Sequence, residues 1–221
     1  MQTYGGGIDS HGRNRARSEG HEASLHTVPG RDTNITTRRP HVQQVVGVGM
    51  VVMMSIWTGH FMGGFAGQSD PKLEFNWHPL LLSISLIYLY GNGILIYRVA
   101  RHERKSRLKV AHATVMGSAT VLACLGVKAA WDSHSLASPP IPHSYSLHSW
   151  CGLLTISLAT IQWTSGLVTF LWPGLASHLR AVFLPIHIFL GLTIFVMACA
   201  TALMGITEKA IFSLGDQYKV L

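Results

Sequence analysis

Four histidines are spaced so that each falls on a different apolar stretch of the chain. They are His78, His112, His148 and His187, separated by 34, 36 and 39 residues. An ionisable residue within a membrane span is costly to bury and is a functional candidate by default. Two imidazoles facing one another across a helix bundle can supply both axial ligands of a haem, which then transfers single electrons. The spacing therefore predicts two haem sites with two histidines each.

A metal-ion site is the competing use of the same histidines, because neutral imidazole also binds Zn, Cu or Fe. Acidic residues and cysteines are sparse beside the four histidines, which favours haem. A divalent-metal transporter or sensor stays open as an alternative function, and so does a non-catalytic membrane scaffold. The three cysteines lie within apolar stretches and are predicted to pack as small apolar side chains.

The elements that position these histidines are predicted to be membrane helices. Only 12% of the residues are charged, about half the fraction usual in soluble domains. A helix that crosses a bilayer needs about 20 mostly apolar residues, and five stretches meet that length. We therefore predict an all-α integral membrane protein, a bundle of five transmembrane helices. The stretches are Val45 to Ala66, Phe75 to Tyr97, Val110 to Trp131, Leu147 to Trp172 and Val182 to Ile206.

The distribution of Lys and Arg predicts the orientation of these spans. Thirteen of the 17 basic residues fall on the side of the N-terminus, which the positive-inside rule assigns to the cytoplasm. The same clusters account for the net charge of +7 without a nucleic-acid partner, since they face anionic lipid of the bilayer. Residues 1–41 are predicted to be a disordered basic cytoplasmic tail, 42–211 the transmembrane domain and 212–221 a short C-terminal tail.

With this orientation the four histidines divide into two levels. His78 and His148 lie near the non-cytoplasmic ends of their helices and are called the outer pair. His112 and His187 lie near the cytoplasmic ends and are called the inner pair. Glycines follow two of them by one helical turn, Gly152 after His148 and Gly191 after His187, which would make room for a flat macrocycle or for close helix packing. His134 and His143 are predicted to lie in an outer loop without an assigned role.

Several short motifs occur in order along the chain. Together with the histidine spacing they resemble the cytochrome b-561 family over Val45 to Leu214. The motifs are Phe75-Asn76-Trp77-His78-Pro79, Ile96-Tyr97-Arg98-Val99, Lys109 to His112, Tyr145 to Trp150, Leu184-Pro185-Ile186-His187 and Thr201 to Lys209. The resemblance implies two haem b groups that pass electrons from cytoplasmic ascorbate to monodehydroascorbate or ferric iron on the other side. It also implies the same histidine pairing.

The resemblance further suggests substrate residues on both faces. Lys105, Lys109 and Arg180 would form a cytoplasmic site for ascorbate, an anion that a basic pocket attracts. Their alternative role is that of positive-inside residues alone. On the outer face His60, Ser146 and Ser149 are candidates for binding the acceptor.

The number of spans is one point of departure from the family. Members usually have six spans, whereas this sequence ends a few residues after the fifth predicted one. All four predicted haem ligands lie on spans two to five, so the electron path is expected to be complete in this chain. The resemblance leaves homodimer formation open. The topology suits a plasma, endosomal, lysosomal or secretory-vesicle membrane equally.

Overall fold

The computed structural model describes residues 33–220 of the chain, with side chains described over residues 42–217. The chain divides into two units, residues 1–41 and 42–221, and the second unit holds all four paired histidines. The first helix begins at Thr33, so the C-terminal part of the predicted disordered tail is helical. Residues 1–32 of that predicted tail lie outside the described residues.

The regular elements of the described residues are all helices, and no strand occurs among them. π-helical turns at Trp57–Phe61, Ser83–Leu89 and Leu167–Leu171 interrupt or end three of the long helical segments, and a 3-10 turn at Gly215–Val220 follows the last helix. The α-helices are α1 (Thr33–Ile56), α2 (Pro71–Glu74), α3 (Trp77–Leu82), α4 (Tyr90–Val99), α5 (Lys105–Ser135), α6 (Leu147–Gly166) and α7 (Ser177–Leu214).

Five helical segments are long and apolar enough to cross a bilayer, judged by their length and composition. The predicted all-α membrane fold with five spans is thereby confirmed. The second span contains α2, α3 and α4, and the third to fifth spans are built on α5, α6 and α7. The bounds of the spans are Val42–Phe61, Pro71–Val99, Lys105–Ser135, Leu147–Leu171 and Ser177–Gln217.

The fifth span is longer than the sequence predicted. Its helix continues past Ile206 to Leu214, which includes the first residues of the predicted C-terminal tail. The charged residues Glu208 and Lys209 of this extension have partners within the fold. Glu208 accepts a hydrogen bond from Ser146, and the Lys209 ammonium lies 5.2 Å from the centroid of the Phe75 ring. The helix therefore continues until Gly215, whose positive φ of 55° ends it.

The second to fifth spans pack around one interior. Helices α3 and α4 pack on α5, α5 packs on α6, α6 packs on α7, and α4 also meets α7. Alanines at these contacts allow the helix backbones to approach closely. The ring of helices places the four histidine-bearing spans around a common centre. The buried cluster at that centre consists of Leu86, Tyr90, Ala123, Ala159, Ile194 and Ala198.

The first span lies at the edge of this arrangement. Most of its apolar side chains are exposed, as expected for a surface that faces lipid. Polar side chains join it to the second span: the Tyr88 hydroxyl donates to Gln44 Oε1 at 2.9 Å, and the Gln44 amide donates to Asn92. Neither histidine pair includes a residue of this span.

Candidate functional site

The structure brings the four histidines together as two pairs. The ring centroids of the outer pair, His78 and His148, lie 6.0 Å apart, and those of the inner pair, His112 and His187, lie 6.2 Å apart. A metal–imidazole bond is about 2.0 Å and the ring centroid lies about 1.1 Å beyond the nitrogen, so two imidazoles on opposite sides of one metal have centroids about 6.2 Å apart. Both pairs therefore have the spacing that a single iron between two imidazoles requires.

Backbone carbonyls fix the orientation of three of the four rings. A carbonyl oxygen can only accept, so the bonded Nδ1 carries the proton and Nε2 keeps the lone pair that binds metal. Each carbonyl belongs to a span next to that of its histidine, so helix packing sets the tautomer. The three bonds are His78 Nδ1 to Gly126 O at 3.0 Å, His112 Nδ1 to Gly93 O at 2.9 Å and His148 Nδ1 to Thr201 O at 3.0 Å.

Two glycines allow the rings of α6 and α7 to occupy their positions. A Cβ atom on Gly205 would lie 2.7 Å from Cε1 of His148, and one on Gly166 would lie 2.8 Å from Cε1 of His187. Both distances are shorter than real Cβ contacts, so any larger residue would displace the ring. One glycine serves each pair, and each is contributed by the partner helix of the α6–α7 contact.

The glycines that the sequence singled out have another role. The nearest atom to a Cβ on Gly152 would be Thr201 Cγ2 at 3.5 Å, and on Gly191 it would be Gln162 Nε2 at 3.4 Å. These are contacts between helices, as the packing alternative predicted. Gly166 and Gly205 were missed because each contacts a histidine of another helix, and sequence periodicity reports only on residues of the same helix.

The residues present fit a haem group. Besides paired imidazoles with free Nε2 atoms, the outer site contains the hydroxyl of Thr201, which is buried and has no hydrogen-bond partner among the described residues. An unpaired buried hydroxyl is costly, and a polar substituent of a bound group is one partner that would satisfy it. Thr201 lies directly at this site, because its carbonyl oxygen accepts the hydrogen bond from His148.

A cavity of about 600 Å³ opens beside the inner pair, and it is lined by all three cations that the sequence grouped: Lys105, Lys109 and Arg180. Lys109 Nζ donates to the carbonyl oxygen of Phe170 at 3.0 Å. The Phe170 ring, which also lines the cavity, meets the His187 ring edge to face with centroids 5.3 Å apart. An anion in this cavity would therefore lie among three positive charges and one aromatic ring away from the inner pair.

The predicted outer substrate residues have structural roles in the fold. Ser146 and Ser149 form a capping box at the start of α6, in which each side chain accepts from the backbone N–H of the other at 3.1–3.2 Å. The Ser146 hydroxyl also donates to Glu208 at 2.9 Å. His60 is exposed in the π-helical turn that ends the first span, and its ring contacts Phe61. Binding of an acceptor by these three residues stays a prediction.

Aromatic residues cover the outer pair, and the sequence did not identify them. The Phe75 ring lies 5.6 Å from that of His78 and stacks on His134 at 6.5 Å. His134 in turn stacks with Tyr145 at 6.4 Å. Partial burial and the neighbouring Glu208 carboxylate raise the pKa of the Tyr145 hydroxyl. The sequence placed His134 in a loop because the third span was predicted to end at Trp131. Helix α5 extends to Ser135 and carries His134 at its outer end.

Comparison with known proteins identifies the family. The family described as "Eukaryotic cytochrome b561" matches residues 77–213. The "Transmembrane ascorbate-dependent reductase CYB561" of Homo sapiens is 43% identical over 175 residues, which are 79% of this chain and 68% of the relative. The "Probable ascorbate-specific transmembrane electron transporter 2" of Oryza sativa subsp. japonica is 39% identical over 173 residues, 78% of this chain and 72% of the relative. The chain belongs to the eukaryotic cytochrome b561 family, and this membership implies a haem b cofactor.

Proposed function

We propose that this chain is a transmembrane reductase that takes electrons from cytoplasmic ascorbate and passes them through two haem b groups to an acceptor on the other side. The observation that carries the proposal is the arrangement of four imidazoles as two pairs, 6.0 and 6.2 Å between centroids, with a cavity lined by three cations beside the inner pair. The relatives named as ascorbate-dependent reductases support the choice of donor.

The histidine pairs are the proposed axial ligands. His78 and His148 would hold the outer haem, and His112 and His187 the inner haem. A haem with two imidazole ligands supplies one-electron transfer, because no axial position is left for O₂. The backbone carbonyls of Gly126, Gly93 and Thr201 keep the Nε2 atoms of three rings available, and the packing of the helices keeps each ring in place.

The cavity beside the inner pair is the proposed ascorbate site. Ascorbate is an anion at neutral pH, and Lys105, Lys109 and Arg180 would attract it and favour its deprotonated form. The hydrogen bond from Lys109 to the Phe170 carbonyl holds one of these cations against the end of the fourth span. Phe170 would separate the bound anion from the His187 ring by a single side chain.

The orientation follows from the positions of these cations. They lie on the side where most Lys and Arg of the chain are gathered, which is the cytoplasmic side by the positive-inside rule. The N-terminus is then cytoplasmic too, and the outer pair faces the exterior or the lumen of a vesicle. Monodehydroascorbate and ferric iron are both proposed acceptors at that face.

The test of this proposal is the visible spectrum of the purified, detergent-solubilised chain before and after addition of ascorbate, together with the ratio of haem to protein. We expect a ratio of two haems per chain and reduction of the haem bands by ascorbate. Absence of a Soret band would contradict the electron-transfer function and leave the metal-transport alternative. Haem bands that ascorbate leaves oxidised would retain the cofactor and reject the donor.

A further inference from the structure

Glu74 is a buried carboxyl group at the outer end of the bundle. It is the last residue of α2, its residue exposure is 6%, and its Oε2 atom has no hydrogen-bond partner among the described residues. A buried carboxylate without a partner is costly, so the group is sensitive to any change of charge nearby. Its sequence context did not identify it as a functional residue, and the proposed ligands and substrate residues do not include it.

The charges that surround Glu74 come from several elements. Lys128 and Asp132 of α5 act on it electrostatically. These two form an ion pair with each other, and Gln68 also donates to Asp132 at 2.8 Å. Within this cluster, Glu74 is thus the described carboxyl group with a buried oxygen that has no hydrogen-bond partner. Further titratable groups of the neighbouring elements are Asp70 and Lys72 of its own segment, His78 of α3, His134 of α5, and Glu208 and Lys209 of α7.

The cluster lies close to the outer histidine pair. Helices α2 and α3 both pack on α5, and the α5 residue whose carbonyl binds His78 is Gly126. Asp132 follows Gly126 by less than two helical turns on the same helix. Phe75 directly follows Glu74, and its ring centroid lies 5.6 Å from that of His78. A unit of charge added at the outer pair would therefore act on Glu74 through partly buried protein, where electrostatic interactions are stronger than in water.

We propose that Glu74 is a proton site linked to the redox state of the outer haem. It binds one proton when an electron arrives at the iron between His78 and His148, and it releases that proton when the electron leaves. One electron converts ferric to ferrous iron and one proton converts carboxylate to carboxylic acid, so the net charge of the outer end is unchanged. This inference rests on the proposed function, because it requires a haem at the outer pair.

The test is a redox titration of the purified holoprotein between about pH 5 and pH 8 in wild type and in Glu74→Gln. In the wild type the midpoint potential of the outer haem should fall with rising pH, by at most about 59 mV per pH unit for one proton per electron. The outer haem is identified as the component missing from His148→Ala. In Glu74→Gln, which is neutral and of the same size, we expect the slope to be flattened.

Glu103→Gln is the matched control, since it removes an exposed carboxylate that pairs with Arg107 at the other end of the bundle. It should leave the slope of the outer haem as in the wild type. Infrared difference spectra provide a second readout: reduction should add the carbonyl band of a protonated carboxyl group in the wild type and in Glu103→Gln, but not in Glu74→Gln.

Three results would overturn the inference: a midpoint potential in the wild type that does not change with pH, a slope in Glu74→Gln equal to that of the wild type, or a carboxyl band that persists in Glu74→Gln.

If Glu74→Gln does not assemble, the Lys128→Gln variant provides the test. Loss of the cation that faces Glu74 should move the pH-dependent region to higher pH, and an unmoved region would contradict the proposal. Two haems reduced by ascorbate with flat pH dependence would reject this inference alone, whereas absence of the outer haem would reject the proposed function.

Discussion

The outer and inner histidine pairs share a ligand arrangement but differ in what surrounds them. The outer pair is bonded to two backbone carbonyls and covered by the rings of Phe75 and His134. The inner pair lies next to a cavity of about 600 Å³ that three cations line. Carboxyl and ammonium groups occur together near the outer pair, whereas the cavity beside the inner pair is lined by cations without a carboxylate among its described lining residues.

The ligands alone therefore do not set the direction of electron flow. Two identical imidazole pairs can hold two chemically identical cofactors, so the asymmetry must come from the residues around them. Cations at the inner end favour an anionic donor there, whereas the outer pair is covered by the aromatic ring of Phe75 and, stacked on it, the ring of His134.

The largest effect is expected from removal of one ligand in either pair. His112→Ala should lose the inner haem and His148→Ala the outer haem, so each variant should retain about one haem per chain, because one imidazole alone cannot keep six-coordinate iron. Fast reduction by ascorbate should disappear in His112→Ala and persist in His148→Ala. Alkaline pyridine spectra measure the haem content of each variant, and stopped-flow spectroscopy measures its rate of reduction by ascorbate. If the two variants lose the same spectral component, the pairing is wrong.

Adding a methyl group beside a histidine ring should affect one of the two sites at a time, and less strongly than removal of the histidine. Gly205→Ala should disturb the outer haem and Gly166→Ala the inner haem, each at a cost of about 1–3 kcal/mol, because the new Cβ overlaps the ring of His148 or His187. Thermal loss of the Soret band measures the effect. Gly49→Ala is the control, since a Cβ there meets no atom within 4 Å. Equal thermal stability of all three variants would show that the glycines do not position the rings.

The cations of the inner cavity should govern affinity for ascorbate. Lys105→Ala and Lys109→Ala should each weaken apparent ascorbate binding about tenfold, and the effect should shrink as salt increases, because the lost interaction is electrostatic. The dependence of the reduction rate on ascorbate concentration measures it. Arg107→Ala, an exposed cation on the same helix outside the cavity lining, is the control. Unchanged affinity in both lysine variants would leave these residues as topology signals only.

The smallest effect is expected at the outer end of α6. Ser146→Ala should lower the free energy of unfolding by about 1 kcal/mol, because the side chain caps the helix. Ser149→Ala removes the other half of the same capping box and should behave similarly. The KM for the outer acceptor should change little in both. A raised KM without loss of stability would instead support the prediction that these serines bind the acceptor.

The sequence predicted those features that depend on local composition. Apolar stretches of about 20 residues define the spans, and one histidine on each of four consecutive helices predicts two levels by topology alone. The ends of the fifth span and of α5 were placed too early, because the partners of Glu208 and Lys209 lie on other helices.

Contacts between helices could not be predicted in the same way. The carbonyl partners of the histidines, the glycines at 166 and 205 and the burial of Glu74 all depend on which residues of different helices meet. A single sequence reports periodicity within one helix but not the rotation of one helix against another. Resemblance to the family grouped Lys105, Lys109 and Arg180, and the fold places these three around one cavity.

Electron transfer across a sealed membrane tests the proposed function most directly. Vesicles that contain the full chain would be loaded with ascorbate, and ferricyanide, which does not cross the bilayer, would be added outside. We predict that external ferricyanide is reduced by wild-type vesicles and that His112→Ala and His148→Ala each abolish this reduction. Reduction at the wild-type rate in either variant, or none in wild-type vesicles that carry both haems, would contradict a path through the two histidine pairs.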